Sequence, residues 1–318
     1  MTLEYKAARV PGPMGLIPGA LGGRIPGPLG FQHVDVSKGP ATKAVPKTLD
    51  MPEPATGGTF IIRVRSVSWK LSKDDKPAVG DVSQGQLSNC PVPAILAALA
   101  NTAVGQTRLN AMVTEFTNVS VKTTVSGAII KALDDRAKNE PDHKSPPAEI
   151  QSKRYFTVDL HDTNPVPEVS DVLYVDDDDG PDPTPVYMHS KNSVLWPCVI
   201  EKACAVTMNN SYAKLDDGKT TANDFWLLIV KKKPGGFSVD DTTDLNKIAD
   251  IARNAKRVPA LGASRPKTTA IGVPADHAFA ILGLKGRTVS LYNPWGLPKD
   301  ISLEEFRANF QAILFGAP

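Results

Sequence analysis

Apolar residues recur along this chain at two spacings, and the spacing changes from segment to segment. "GGTFIIRVRSVSW", from Gly57, alternates and is rich in β-branched residues, which predicts a strand entering the folded core. "CPVPAILAALA", from Cys90, is a continuous Ala/Leu/Ile run that predicts a buried helix. The stretch "TRLNAMVTEFTNVSVKTTVSGAIIKALDDRAKNEPDHKSPP" predicts helical pieces ending in a polar, proline-closed excursion, while "RYFTVDL" and "EVSDVLYVDD" predict strands. "NSVLWPCVIEKACAV" has the period of an amphipathic helix, "DFWLLIV" reads as a strand, and "DLNKIADIARNAKRV" places Leu245, Ile248, Ile251 and Ala252 on one helical face. The chain closes with a hairpin, "HAFAILGLKGRTVSLYNPWG", and a helix, "SLEEFRANFQAILF", opened by a Ser302/Glu305 capping box. Helices thus dominate the part that carries Cys90, and strands the part after "DFWLLIV". The pattern predicts an α+β fold of two unlike lobes: a helical one from residues 58–190 plus the helix 193–207, and a β-rich one from 208–318.

No period fits the first 57 residues, which hold nine of the 28 prolines. "PGPMGLIPGALGGRIPGPLG" buries little and cannot propagate a helix, and its irregular glycines exclude collagen. Residues 1–57 are expected to form a flexible or semi-extended tail, or an arm that docks a partner or covers a cleft. The composition, 41% hydrophobic and 22% charged, is that of an ordinary soluble globular protein. With 36 basic against 34 acidic side chains and no basic stripe interleaved with aromatics, nucleic acid is not an expected partner. No stretch approaches the roughly 18 apolar residues of a membrane span, and the start lacks the basic-then-apolar order of a Sec signal. Three cysteines make no disulfide framework; Cys198 and Cys204, about 240° apart on a helix, cannot face each other. A reducing, cytoplasmic compartment is the expectation.

Cys90 heads its helix, which puts Pro91 at the first helical position and Pro93 at the third, where backbone N–H groups lack helical acceptors anyway. A thiol there meets the positive end of the helix dipole, which favours thiolate. Alone, Cys90 could equally be an inert cysteine on an Ala-rich helix; a nucleophile also needs an imidazole and a group to orient it. Among five histidines, His277 opens the apolar strand "HAFAILGL". A three-residue turn with Gly286 left-handed would set Asn293 directly across from it, where the side-chain oxygen can hold one imidazole N–H. Gln84, six residues before Cys90 across "QGQLSN", can aim its amide together with the Cys90 N–H at the oxygen of an attacked carbonyl; Gln86 is the alternative.

These residues resemble the calpain family of papain-like cysteine proteases. "DVSQGQLSNC" is similar to its Q-G-x-x-x-x-C block, "VDDDDG … NSVLWPCVIEKACAV … SY" to its V-D-D, L-W and E-K-A core block, and "HAFAIL" and "YNPWG" to its G-H-A and N-P-W-G blocks. The resemblance runs from about residue 75 to 297 and implies a papain-like two-lobe fold. It gives Cys90 as nucleophile, His277 as base, Asn293 as its orienter, Gln84 in the oxyanion hole and Trp295 as a ring shielding the Asn–His pair. Two departures stand out: Pro91 occupies the usual Trp position, and Asp276 replaces the Gly before the histidine, adding a charge expected to raise the His277 pKa. Calpain lobes bind calcium, and Asp81 matches a first-lobe ligand, although the acids expected after "NPWG" are not recognisable; no other cofactor is required. Asp176 to Asp179 read as a hydrated loop.

The implied activity is a cysteine endopeptidase acting on protein substrates. A transglutaminase or deamidase uses the same pair on a glutamine carboxamide, and a catalytically idle binding module is the alternative of another class. The compact architecture is similar to bacterial calpain-like proteins, which implies either a cytoplasmic enzyme or an effector exported without a Sec signal, residues 1–57 then engaging secretion machinery.

Overall fold

In a computed structural model, residues 30–38, 46–55, 62–74, 76–139, 144–176 and 183–318 are described. The longest strand arises where helix was expected. "VTEFTNVSVKTT" alternates buried and less buried positions over most of its length, and its Val, Thr and Phe content suits a pleated surface better than a helical turn. The elements up to Val230 are, in order, β1 (Gln32–Asp35), β2 (Lys47–Asp50), β3 (Ile62–Ser66), α1 (Pro91–Ala100), α2 (Ala103–Met112), β4 (Val113–Thr124), α3 (Gly127–Ala137), β5 (Glu149–Val158), β6 (Glu168–Ser170), β7 (Val172–Asp176), α4 (Trp196–Thr207), α5 (Tyr212–Leu215) and α6 (Ala222–Val230). There follow β8 (Gly235–Ser238), α7 (Leu245–Asn254), β9 (Ala260–Ser264), β10 (Ala278–Lys285), β11 (Thr288–Asn293), β12 (Leu297–Ser302), α8 (Leu303–Asn309) and β13 (Phe310–Phe315). The fold is α+β.

The first half is not predominantly helical. β4 pairs antiparallel with β5, and on its other edge takes up β1 and β2, both parallel, along successive stretches. Much of the expected tail therefore belongs to the fold: Phe31, Met51 and Ala55 are buried in the larger core, and two short segments complete the β4 sheet. Each of these strands is four residues long and contains no proline. Residues 1–29 lie outside the described residues, as do 177–182, which carry most of the acidic loop.

The lobe boundary also shifts. "DFWLLIV" is the helix α6, opened by a Thr221/Asp224 capping box, and its Phe225, Trp226, Ile229 and Val230 join the larger core with Tyr212 and Leu215. The terminal segment "SLEEFRANFQAILF" is only half helix: α8 ends at Asn309 and β13 follows, while the Ser302/Glu305 capping box forms as the sequence indicates. The six-stranded antiparallel sheet β12-β11-β10-β9-β13-β8 serves two cores with period two. Ala278, Ala280 and Tyr292 face the larger core around α1, whereas Phe279, Ile281 and Leu291 face the smaller core under α7 and α8. Among the described residues no helix is long and apolar enough to cross a membrane.

Because Met51 is 2% exposed inside the larger core, Met51→Ala should cost about 2–5 kcal/mol, read as a lowered urea midpoint. A midpoint unchanged within error would return residues 46–55 to the status of a tail.

Candidate active site

Cys90 is the N-cap of α1 and Pro91 its first residue, so the chain turns into the helix where the thiol stands. Every residue from Val92 to Ala100 is buried, leaving the N-terminal end as the outlet of the helix. The preceding loop is pinned by backbone contacts. Gln86 N–H donates to the Val186 carbonyl at 3.1 Å, and a Cβ on Gly85 would lie 2.0 Å from the Tyr187 carbonyl oxygen, so only glycine fits. The Gln84 amide nitrogen donates to the Leu87 carbonyl, and its oxygen is buried without a partner.

The hairpin brings up the other half. Its turn is tighter than expected, with Lys285 paired to Thr288 and Gly286 left-handed, and a bulge between Ile281 and Gly283 slips the register by one. The pairing continues through Ala280 and Tyr292, so Asn293 falls opposite Phe279 and reaches His277 diagonally. The contact itself is present: His277 Nε2 lies 2.9 Å from Asn293 Oδ1. The Trp295 backbone N–H donates to the same oxygen at 3.1 Å. A backbone N–H can only donate, which fixes that atom as the amide oxygen and makes Nε2 the proton-bearing nitrogen of neutral His277. Nδ1 is then the free base. The Trp295 ring, half exposed, lies 4.8 Å from the imidazole at 43°, and Phe279 meets its edge at 5.1 Å. Gly296, at φ 83°, closes the turn under Lys191, whose ammonium donates to the Gly296 carbonyl at 3.1 Å.

Further bonds fasten the two halves at the site. The Ala278 N–H donates to Cys90 Sγ at 3.4 Å, which sets the thiol beside the residue that follows His277. Gln84 N–H donates to the Pro294 carbonyl at 2.7 Å, and Tyr292 hydroxyl to the Val82 carbonyl at 2.7 Å. Cys90, His277, Asn293, Gln84 and Trp295 thus converge.

The electrostatics correct two expectations. Burial pushes the Cys90 thiol up, and the Ala278 and Cys90 backbone N–H groups pull it back without cancelling that rise. Burial also pushes His277 down, and the Asn293 bond offsets only part of this. Asp276 does not raise the imidazole: exposed, at φ 49° in the left-handed region where glycine is usual, it adds to the rise of the thiol instead. Both shifts favour the neutral forms, thiol and imidazole.

Asp81 is held by hydrogen bonds: its Oδ1 accepts from Asn192 Nδ2 at 2.7 Å and its Oδ2 from Trp196 Nε1 and the Ala78 N–H, both at 2.9 Å. The buried carboxylate thus ties the start of α4 to the loop before Gln84. Among the described residues no three His, Cys, Asp or Glu side chains cluster as metal ligands would. Of the other described histidines, His33 pairs with Glu115, His161 with Asp162, and His189 bridges to Ser83 through its backbone.

Residue-by-residue sequence reasoning passed over Asn89, Glu201 and Asp216. Ser88 N–H donates to Asp216, and Asn89 Nδ2 donates to Glu201 Oε1 at 2.8 Å, so the two residues before Cys90 are held by carboxylates from α4 and the end of α5. The signal was a charged pair, Glu201 and Lys202, at the centre of an apolar helical run, "PCVIEKACAV".

Trp196→Phe keeps the ring but leaves buried Asp81 short of a donor, and should cost about 1–3 kcal/mol in urea unfolding; an unchanged midpoint would show Asp81 satisfied by water. With the Cys90 pKa raised and Cys198 and Cys204 buried and pushed far higher, iodoacetamide alkylation of Cys90 should keep climbing above pH 9. A plateau near pH 7 would mean a preformed thiolate. No protein-family model matches the chain, and no curated protein matches it.

Proposed function

We propose that the chain is a papain-like cysteine endopeptidase of calpain type. One observation carries the reading. The Trp295 N–H fixes Asn293 Oδ1 as an acceptor, which leaves His277 with its proton on Nε2 and a basic Nδ1, on a strand whose next residue touches the Cys90 sulfur. A cysteine heading a helix in one core and an imidazole beside the hairpin of a sheet against it support the two-lobe reading that the sequence resemblance implies.

The chemistry balances on these groups. As Sγ bonds to the peptide carbonyl carbon, its proton passes to His277 Nδ1 and the carbonyl electrons move to oxygen. The Cys90 N–H and the second N–H of Gln84 hold that oxyanion. Collapse breaks the C–N bond, and the imidazolium returns its proton to the leaving amine. Water then adds to the thioester, giving a proton to His277; the thiolate leaves, releasing the acid, and takes that proton back from the imidazolium to restore the thiol. Burial favours the neutral form of each group, which supports a proton that moves as the substrate is attacked.

The test is incubation of a denatured proteome with wild type and Cys90→Ala, with and without calcium, followed by mapping of new N-termini. New termini should appear with wild type, in either condition, and be absent with Cys90→Ala. Retained cleavage by Cys90→Ala removes the proposal, and ammonia release without new termini replaces it with glutamine deamidation.

A further inference from the structure

Glu201 is 1% exposed in the interior of α4, and burial pushes its carboxyl up to about 7, with the Asp216 charge adding to the rise. Its two oxygens serve different segments. Oε1 accepts from Asn89 Nδ2 at 2.8 Å, and Oε2 accepts from the Met188 N–H at 2.7 Å. Asn89 immediately precedes Cys90. Met188 immediately precedes His189, whose N–H and carbonyl exchange 2.9 Å bonds with Ser83, and Ser83 precedes Gln84. The carboxylate therefore links the two residues assigned to the oxyanion: one hydrogen bond and one peptide unit lead to Cys90, and one hydrogen bond, two peptide units and the His189–Ser83 bridge lead to Gln84.

We propose that Glu201 is a positioning residue that sets the separation of the Cys90 N–H and the Gln84 amide, the two donors of the oxyanion hole; this rests on the endopeptidase reading above. An apolar side chain would fill the same volume at a smaller desolvation cost, but would couple nothing to Asn89 or Met188. Donors act on an oxyanion only within about 2.7–3.1 Å, and a misplacement of about 1 Å costs on the order of 10²-fold in rate. The contact does not require charge. In Glu201→Gln the amide oxygen accepts from Met188 N–H, and the amide nitrogen donates to Asn89 Oδ1, which is buried without a partner, once the Asn89 amide turns over.

The experiment compares wild type, Glu201→Gln and Glu201→Leu on a fluorogenic peptide built around a bond that wild type cleaves, with iodoacetamide alkylation of Cys90 as a second readout. Alkylation needs the thiol but no oxyanion. Glu201→Leu should lower kcat about 10²-fold with KM and alkylation rate nearly unchanged, and Glu201→Gln should restore kcat to within about threefold. Wild-type kcat in Glu201→Leu overturns the positioning role, as does an equal loss of kcat and alkylation, which marks general damage to the site. If Glu201→Leu does not unfold cooperatively, Asn89→Ala removes one of the two contacts and is measured and read in the same way. Absence of Cys90-dependent hydrolysis in wild type overturns the endopeptidase reading and this role with it, whereas hydrolysis by wild type with an unaffected Glu201→Leu overturns the positioning alone.

Discussion

Burial of α1 on every side is the constraint from which the site follows. Val92, Ile95, Leu96 and Leu99 are wholly buried, each contributing about 2 kcal/mol, and the intervening alanines let neighbouring elements approach closely. α2 and α6 pack against α1 on one side and β10 on the other. A helix enclosed in this way has one place to present a reactive group, its N-terminal end, and the proline at its first position lets the chain turn there without losing a helical hydrogen bond. The sheet face that covers α1 is the one bearing Ala278 and Ala280, so the packing that buries the helix also brings the residue after His277 to the thiol.

From that contact the electrostatics run in one direction. Enclosure that fixes the thiol also desolvates it, and the same holds for the imidazole, so each is driven toward its neutral form. Neutrality makes the tautomer matter, because only one ring nitrogen of a neutral histidine is basic. That choice is settled two residues past Asn293, by a backbone N–H whose position depends on the left-handed Gly296 turn. Lys191 and Gln84 bind the turn from the opposite half, so the histidine's proton is placed by contacts that cross between the two cores.

What could be read from sequence was what local chemistry decides. The first-turn prolines after Cys90, the capping box at Ser302 and the hairpin between His277 and Asn293 all announce themselves within a few residues. Elements decided by tertiary contacts did not. "DFWLLIV" has the composition of a strand, yet it is helical because Thr221 caps it and its apolar face lies against α1. β4 was masked by a preceding segment that is helical up to Met112, and β1 and β2 are strands only because β4 offers them an edge. The hairpin register was missed by the bulge, which no residue pattern marks, yet the His–Asn contact survived because diagonal neighbours on a sheet are still within reach of long side chains. Glu201 was visible as a charge in an apolar helix, but its partners are 112 and 13 residues away in the chain and nothing local points to them.

Glu201 and Lys202 sit side by side in α4, about 100° apart around the helix, and serve opposite neighbours. Lys202 donates to the carbonyls of Ser170 and Val172 at 3.2 and 2.6 Å, closing the gap between β6 and β7, while Glu201 faces the loop ahead of Cys90. Burial raises Glu201 to about 7 and lowers Lys202 to about 7. The carboxyl therefore costs stability above its unfolded pKa, fully so above pH 7, and the cost fades as pH falls from 7 toward 4.5. The amine does the reverse: its cost is complete below pH 7 and fades only as pH rises toward 10.5. The two windows do not overlap, so no pH relieves both, and the fold carries a desolvation cost in α4 throughout. Hydrophobic residues would avoid that cost, which leaves placement as what the pair provides: one helix, through two adjacent polar side chains, holds a strand junction on one side and the loop ahead of Cys90 on the other.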